Sequence, residues 1–70
     1  MDSIYPNLSQ ELDKIGMSVA NLSTALNIPN EVISSKLRGE IPWLLSEALG
    51  VCRLLNNSDI NFLFFQLDNN

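Results

Sequence analysis

The sequence contains no histidine and a single cysteine, and only four of its 70 side chains are Lys or Arg. One cysteine excludes an intrachain disulfide, and Cys52 alone does not indicate a metal site. The chain also lacks a glycine-rich phosphate loop and a cluster of carboxylates, so we expect neither enzyme activity nor a cofactor. No apolar run approaches the roughly 20 residues that span a bilayer, and no basic start precedes an apolar stretch. We therefore expect a cytoplasmic protein with no membrane segment.

The balance of charge is acidic, with eight Asp and Glu against four Lys and Arg, a net charge of −4 and a pI near 4.3. DNA-binding domains usually carry the opposite sign, because phosphate neutralisation supplies much of their affinity. The charge argues against strong non-specific DNA binding, although a local cationic patch can act against the global sign. Hydrophobic residues make up 46% of the chain, which is ample for one compact core.

Apolar residues recur every three or four positions along the chain, which predicts an all-helical domain spanning residues 1–70. Five helices are expected, at about residues 5–15, 18–26, 30–38, 44–55 and 58–66. The first has one apolar stripe, formed by Ile4, Leu8, Leu12 and Ile15. The fourth has a buried face formed by Leu45, Ala48, Val51, Cys52 and Leu55. The tail at residues 67–70 is expected to fray.

Residues 17–39 are the most informative segment, because two short amphipathic helices are joined there by a tight polar turn. Ser18 gives the first of them a polar entry, and Gly39 is a good stop for the second. In the turn, Ile28 can fill a corner of the core and the flanking Asn residues tolerate unusual backbone angles. Two helices joined so closely form a helix-turn-helix, predicted at about residues 18–38, whose second helix often enters the DNA major groove.

Two segments, the first of them within residues 17–39, carry a family resemblance. One is Ile28 followed by Ile-Ser-Ser-Lys-Leu-Arg-Gly at residues 33–39, and the other runs from Trp43 through the Leu-x-Glu-Ala step at residues 45–48 to Leu63-Phe64. Their order and spacing resemble the Cro-type (XRE-like) helix-turn-helix family of phage repressors and small bacterial regulators. The resemblance implies a compact five-helix Cro/lambda-repressor-like fold. It also implies a DNA-binding transcription regulator of phage or mobile-element type.

The resemblance further implies that the third helix is the recognition helix. The candidate DNA-binding residues are Asn30, Glu31, Val32, Ser34, Ser35, Lys36 and Arg38. Asn pairs with adenine, Ser bonds to several base edges, and Val can touch a thymine methyl group. Lys36 and Arg38 are expected nearer the phosphates. The alternative is that these are ordinary solvent-facing side chains, since exposed polar residues are common.

The run from Phe62 to Phe65 cannot be buried by one face of a helix. If Leu63 and Phe64 pack inward, then Phe62 and Phe65 point elsewhere, and exposed apolar patches usually mark an interface. We expect either a homodimer seam, which suits a palindromic operator, or a docking site for another protein. A hydrophobic C-terminus folded over the helices is the other possibility.

A second function therefore stays open: an antirepressor or modulator that keeps the helix-turn-helix fold but binds a partner repressor protein instead of DNA. The acidic pI favours it. So do Val19, Glu40 and Leu44, which stand where the family often has Gln, Lys and Thr. An acidic helical surface can pair with a basic DNA-reading helix, and Val19, Val32 and Leu44 would form an apolar contact strip.

Overall fold

Five helices make up the regular structure of residues 3–67, the part of the chain that the computed structural model describes. They are α1 (Pro6–Lys14), α2 (Val19–Leu26), α3 (Asn30–Leu37), α4 (Leu45–Leu55) and α5 (Ile60–Leu63). The described residues contain no strand, so the all-α prediction is confirmed. The bounds of the first four helices agree with the sequence prediction to within one residue at each end. The fifth, expected at residues 58–66, is a single turn of four residues.

The core lies where all five helices converge. Its most deeply buried side chains are Tyr5, Leu8, Leu12, Leu22, Ile33, Leu37, Val51 and Leu63. Three aromatic rings lie on one side of it, where Phe64 meets Trp43 and Tyr5 edge-to-face at centroid distances of 5.5 and 5.7 Å. The Cα radius of gyration is 11.0 Å, close to the roughly 11 Å expected for a compact domain of this length.

Two residues predicted to be buried are exposed instead. Ile15 is 53% exposed because α1 ends one residue earlier, and the chain turns away from the core at Gly16, whose φ is +68°. Leu45 is 69% exposed because it is the first residue of α4, and the buried face of that helix begins one turn later at Ala48. Both errors therefore lie at a helix end, where periodicity no longer determines which way a side chain points.

The two terminal segments meet beside the end of α3. The backbone N–H of Ile4 donates to the carbonyl of Leu37 at 2.9 Å, and the carbonyl of Ile4 accepts from the N–H of Leu67, also at 2.9 Å. Leu67 is the first residue of the tail that is predicted to fray, and this backbone bond joins it to Ile4; residues 68–70 of that tail lie outside the described residues. Gly39 has a φ of +81°, and a Cβ there would come within 2.5 Å of Cδ1 of Ile4.

Polar side chains cap the beginnings of α2, α4 and α5. Ser18 and Asn21 bond reciprocally at the start of α2, as the sequence indicated, with the Asn21 N–H donating to Ser18 Oγ at 3.1 Å. At the start of α4, Oε1 of Glu47 accepts from the backbone N–H of Leu44 at 2.9 Å. Asp59 caps α5 through the N–H of Phe62.

In residues 3–67 no helix is long and apolar enough to cross a membrane.

Candidate functional site

The turn between α2 and α3 is held by its own polar atoms. Asn27 ends α2 in the left-handed conformation, with φ 57° and ψ 46°. The backbone N–H of Ile28 donates to the carbonyl of Ser23 at 3.1 Å, and the Ser23 hydroxyl donates to the carbonyl of Ile28. Ile28 is half-buried against the core, as predicted, and Pro29 stands immediately before α3. The N-terminal turn of α3 is therefore presented at a fixed corner of the molecule.

The candidate residues of α3 differ in exposure. Asn30 and Glu31 in its first turn are exposed, whereas Val32, Ser34 and Ser35 are half-buried. Residues three and four apart lie on the same face of a helix, so Ser34 lies next to Asn30, and Ser35 lies next to Glu31. The opposite face carries Ile33 and Leu37, which are buried in the core. The structure thus brings the polar candidates together along one side of α3.

Lys36 is the exception, and its predicted exposure is wrong. The residue is only 4% exposed, and its Nζ lies 2.8 Å from Oε1 of Glu47. The same ammonium donates to the carbonyl of Pro42 at 3.0 Å and lies 5.8 Å from the centroid of the Trp43 ring. Lys36 is therefore turned inward to join α3 to the start of α4, and it leaves the candidate DNA-facing set.

Glu47 is the partner of Lys36, and sequence reasoning missed the pairing. Burial raises the pKa of its carboxyl, but hydrogen bonds from Lys36 and from the Leu44 N–H, together with the Lys36 charge, outweigh burial and leave the pKa below its ordinary value. The available signal was the Leu-x-Glu-Ala step itself, which puts an acid in the first turn of α4. The Lys36–Glu47 pair links the last turn of α3 to the first turn of α4.

Arg38 is exposed at the end of α3, as predicted, but it already has an acidic partner. Its Nε donates to Oε2 of Glu40 at 2.9 Å, and its Nη2 donates to Oε1 of Glu40 at 3.2 Å. Nη2 also donates to the hydroxyl of Ser35 at 3.3 Å. The hydrogen bonds and charge of Arg38 lower the pKa of the Glu40 carboxyl. The cation nearest the candidate surface is therefore neutralised within the chain.

Charge is distributed unevenly over residues 3–67. Ion pairs join Lys14 to Glu11, Lys36 to Glu47 and Arg38 to Glu40. Among the described residues, Arg53 on α4 forms no ion pair, and neither does exposed Glu31 on α3. The α3 surface therefore carries no net positive charge from the described residues.

Exposed apolar side chains form the second feature of the surface. Leu63 is fully buried and Phe64 packs on the core, whereas Phe62 and Phe65 are 42% and 54% exposed. The predicted division of this run into inward and outward side chains is confirmed. Leu44, which the sequence analysis put in an apolar contact strip, is also exposed, and so are Leu45 and Leu49 on α4, which sequence reasoning missed.

Comparison with known proteins adds no relative. No family model, no curated protein and no solved structure matches this chain. Within residues 3–67, no group of three or more His, Cys, Asp or Glu could hold a metal ion. Function is therefore inferred from the α2–α3 corner, the ion pairs beside it and the exposed apolar residues.

Proposed function

We propose that this chain is a DNA-binding transcription regulator of phage or mobile-element type, with a Cro-like helix-turn-helix formed by α2 and α3. The observation that carries the proposal is the fixed corner at Asn27 and Ile28, which leaves one polar side of α3 uncovered. A recognition helix needs this arrangement, because its N-terminal residues contact base edges while the preceding helix crosses the phosphate backbone. The sequence resemblance described above supports the same function.

Base contacts would come from the first two turns of α3. The side-chain amide of Asn30 can pair bidentately with adenine, and the hydroxyl of Ser34 can bond to either partner of a base pair. The carboxylate of Glu31 can accept from the amino group of cytosine. Because Glu31 repels phosphate, it suits a protein that reads bases more than it binds backbone.

The electrostatic contribution would be small. Lys36 is buried in its ion pair, which leaves Arg38 as the cation nearest this surface. A dimer that neutralised about two to four phosphates would give a slope of log K against log salt of roughly −2 to −4. We therefore expect affinity to fall less steeply with salt than it does for basic helix-turn-helix proteins.

Phe62 and Phe65 would form the seam of a homodimer in this proposal. Their exposure supports it, since two phenylalanines three positions apart are 42% and 54% exposed and present apolar surface to solvent. A two-fold dimer would place two α3 helices on successive turns of a palindromic site. Serine at both positions should shift the protein from dimer to monomer in sedimentation equilibrium.

A specific observation favours a second candidate, a modulator that binds a partner repressor. Glu31 is exposed in the first turn of α3 and has no ion pair among the described residues. A basic recognition helix of a partner would meet this charge. Half-buried Val32 and exposed Leu44 would supply apolar contact.

Fluorescence anisotropy with DNA from the upstream region of the protein's own gene distinguishes the DNA-reading function from the modulator function. At about 50 mM salt the DNA-reading function predicts saturable binding with a preference over scrambled DNA, weakening at about 200 mM. Asn30→Ala should lower affinity for the preferred DNA about tenfold and leave scrambled binding unchanged. Asn61→Ala, an exposed asparagine on α5, is the matched control.

Absence of sequence preference at the lower salt would reject the DNA-reading function. The second candidate would then be tested by titrating the same protein against the repressor encoded beside it. A complex that weakens in Glu31→Lys would support the modulator, and failure to form any complex would reject it.

A further inference from the structure

We propose that Glu40 is a built-in competitor for Arg38, and that this carboxylate limits how strongly the chain holds the DNA backbone. The inference rests on the proposed DNA-binding function and concerns the strength of that same surface. It follows from two contacts, Nε to Oε2 at 2.9 Å and Nη2 to Oε1 at 3.2 Å. Both oxygens of Glu40 therefore occupy one edge of the guanidinium.

A phosphate would use the same edge in the same way. Arginine binds carboxylates and phosphates through paired, nearly parallel N–H bonds, because two oxygens of either group match the spacing of its donors. Glu40 is already seated where two phosphate oxygens would dock on the Nε and Nη2 side of Arg38. Contact between DNA and this edge requires Glu40 to leave it.

The backbone after α3 places Glu40 for this role. Gly39 has a φ of +81°, which reverses the chain, and the N–H of Glu40 donates to the carbonyl of Ser35 at 2.9 Å. The hydroxyl of Ser35 in turn accepts from Nη2 of Arg38. Ser35, Arg38 and Glu40 thus form one hydrogen-bonded group at the C-terminal end of α3.

The expected effect is moderate, because the pair faces water. The side chains of Arg38 and Glu40 are 40% and 58% exposed. Exposed ion pairs of this kind are weak, so releasing one should change affinity by about 2- to 5-fold per protomer, and by about 4- to 25-fold for a dimer with two equal half-sites. Glu40 therefore weakens DNA binding without preventing it.

Glu40→Gln is the test, in the full-length protein and by the anisotropy titration described above. The variant should bind both preferred and scrambled DNA more tightly, since backbone contact carries no sequence information. The salt dependence should steepen by up to about 0.9 per protomer, the value for one additional phosphate contact. In an Arg38→Ala background, the Glu40→Gln change should bring no gain.

Glu11→Gln is the matched control. It removes the same charge and breaks a comparable surface pair, Lys14–Glu11 at 2.8 Å, but on α1. We expect its DNA affinity to stay within about twofold of the starting protein. Thermal unfolding of each variant checks that all of them fold.

Two results would overturn the inference while leaving the proposed function intact. One is a Glu40→Gln variant that binds DNA no more tightly than Glu11→Gln. The other is a gain that persists when Arg38 is alanine, since charge alone would then explain it. If none of the proteins prefers any DNA sequence at low salt, the proposed function fails and this inference fails with it.

Discussion

Replacing Glu47 by alanine should destabilise the protein more than replacing Lys36 by methionine. The two residues share one ion pair at 2.8 Å, but their surroundings differ, since the side chain of Lys36 is 6% exposed and that of Glu47 is 17% exposed. Removal of Glu47 leaves an ammonium group buried with the carbonyl of Pro42 as its remaining hydrogen-bond acceptor. Removal of Lys36 leaves a carboxylate that water can reach and that still accepts from the Leu44 N–H.

The magnitudes follow from that asymmetry. Breaking a buried pair by deleting one partner costs about 3–5 kcal/mol when the remaining charge stays buried. Partial exposure reduces the figure, and we expect a loss of about 2–4 kcal/mol for Glu47→Ala, including the lost contact at the start of α4. For Lys36→Met, which keeps the apolar stem, we expect about 1 kcal/mol.

These losses are large beside the total stability of the domain. A chain of this length has roughly 3.5–10 kcal/mol in all. Each kcal/mol shifts Tm by about 4–8 °C in domains of this size, so Glu47→Ala should lower Tm by at least about 10 °C. Lys36→Met should lower it by about half that or less.

Circular dichroism at 222 nm during heating at neutral pH measures the Tm of both variants, and urea unfolding gives their free energies of unfolding. Glu47→Gln is the internal control, because it removes the charge and keeps a side-chain oxygen that can accept from Leu44. It should fall between the other two variants. If Lys36→Met is as damaging as Glu47→Ala, the reasoning is refuted, because the buried ammonium would not then be the costly group.

Three further predictions concern stability. Gly39→Ala should cost about 1–3 kcal/mol, because the backbone has positive φ and a Cβ would strike Ile4; urea unfolding measures it. Ser18→Ala should lower the free energy of unfolding by about 1 kcal/mol through loss of the α2 cap, with Ser46→Ala as an exposed control. The pKa of Glu47 lies below its ordinary 4.5 in the folded state, so its stabilisation is present above pH 4.5 and lost as pH falls through the folded-state pKa. When Tm is measured at decreasing pH, it should therefore fall less for Glu47→Gln than for the starting protein.

Opposite results would identify the step at fault. A Gly39→Ala variant as stable as the starting protein would contradict the close contact with Ile4. Equal effects of the two serine substitutions would contradict a cap at Ser18. A steeper acid loss in Glu47→Gln would mean that the pKa of this carboxyl is raised in the folded state.

Local signals in the sequence were sufficient for most of the fold. Four helices were predicted to within one residue because apolar spacing and capping residues agree, as at Ser18 and at Gly39. The length of the fifth helix was overestimated because the apolar pattern continues through Phe65, beyond the single helical turn that ends at Leu63. The length of a helix cannot be inferred from apolar spacing where apolar residues occupy every face of it.

The candidate site was predictable only in part. The outward position of Asn30 and Glu31 follows from helical spacing relative to Ile33 and Leu37. The burial of Lys36 does not, because a long cationic side chain is ordinarily solvated unless it is paired. Its partner, Glu47, belongs to a different helix, and tertiary packing alone brings the two together.

The backbone bonds of Ile4 have a practical consequence for handling this protein. Because Ile4 is bonded to Leu37 on one side and to Leu67 on the other, both ends of the described segment lie close to the last turn of α3. An affinity tag or fusion partner at either terminus would therefore begin only a few residues from the helix whose binding is to be measured. The same proximity makes the chain a suitable candidate for circular permutation, in which a short linker joins the old ends and new ones are opened at a distant loop.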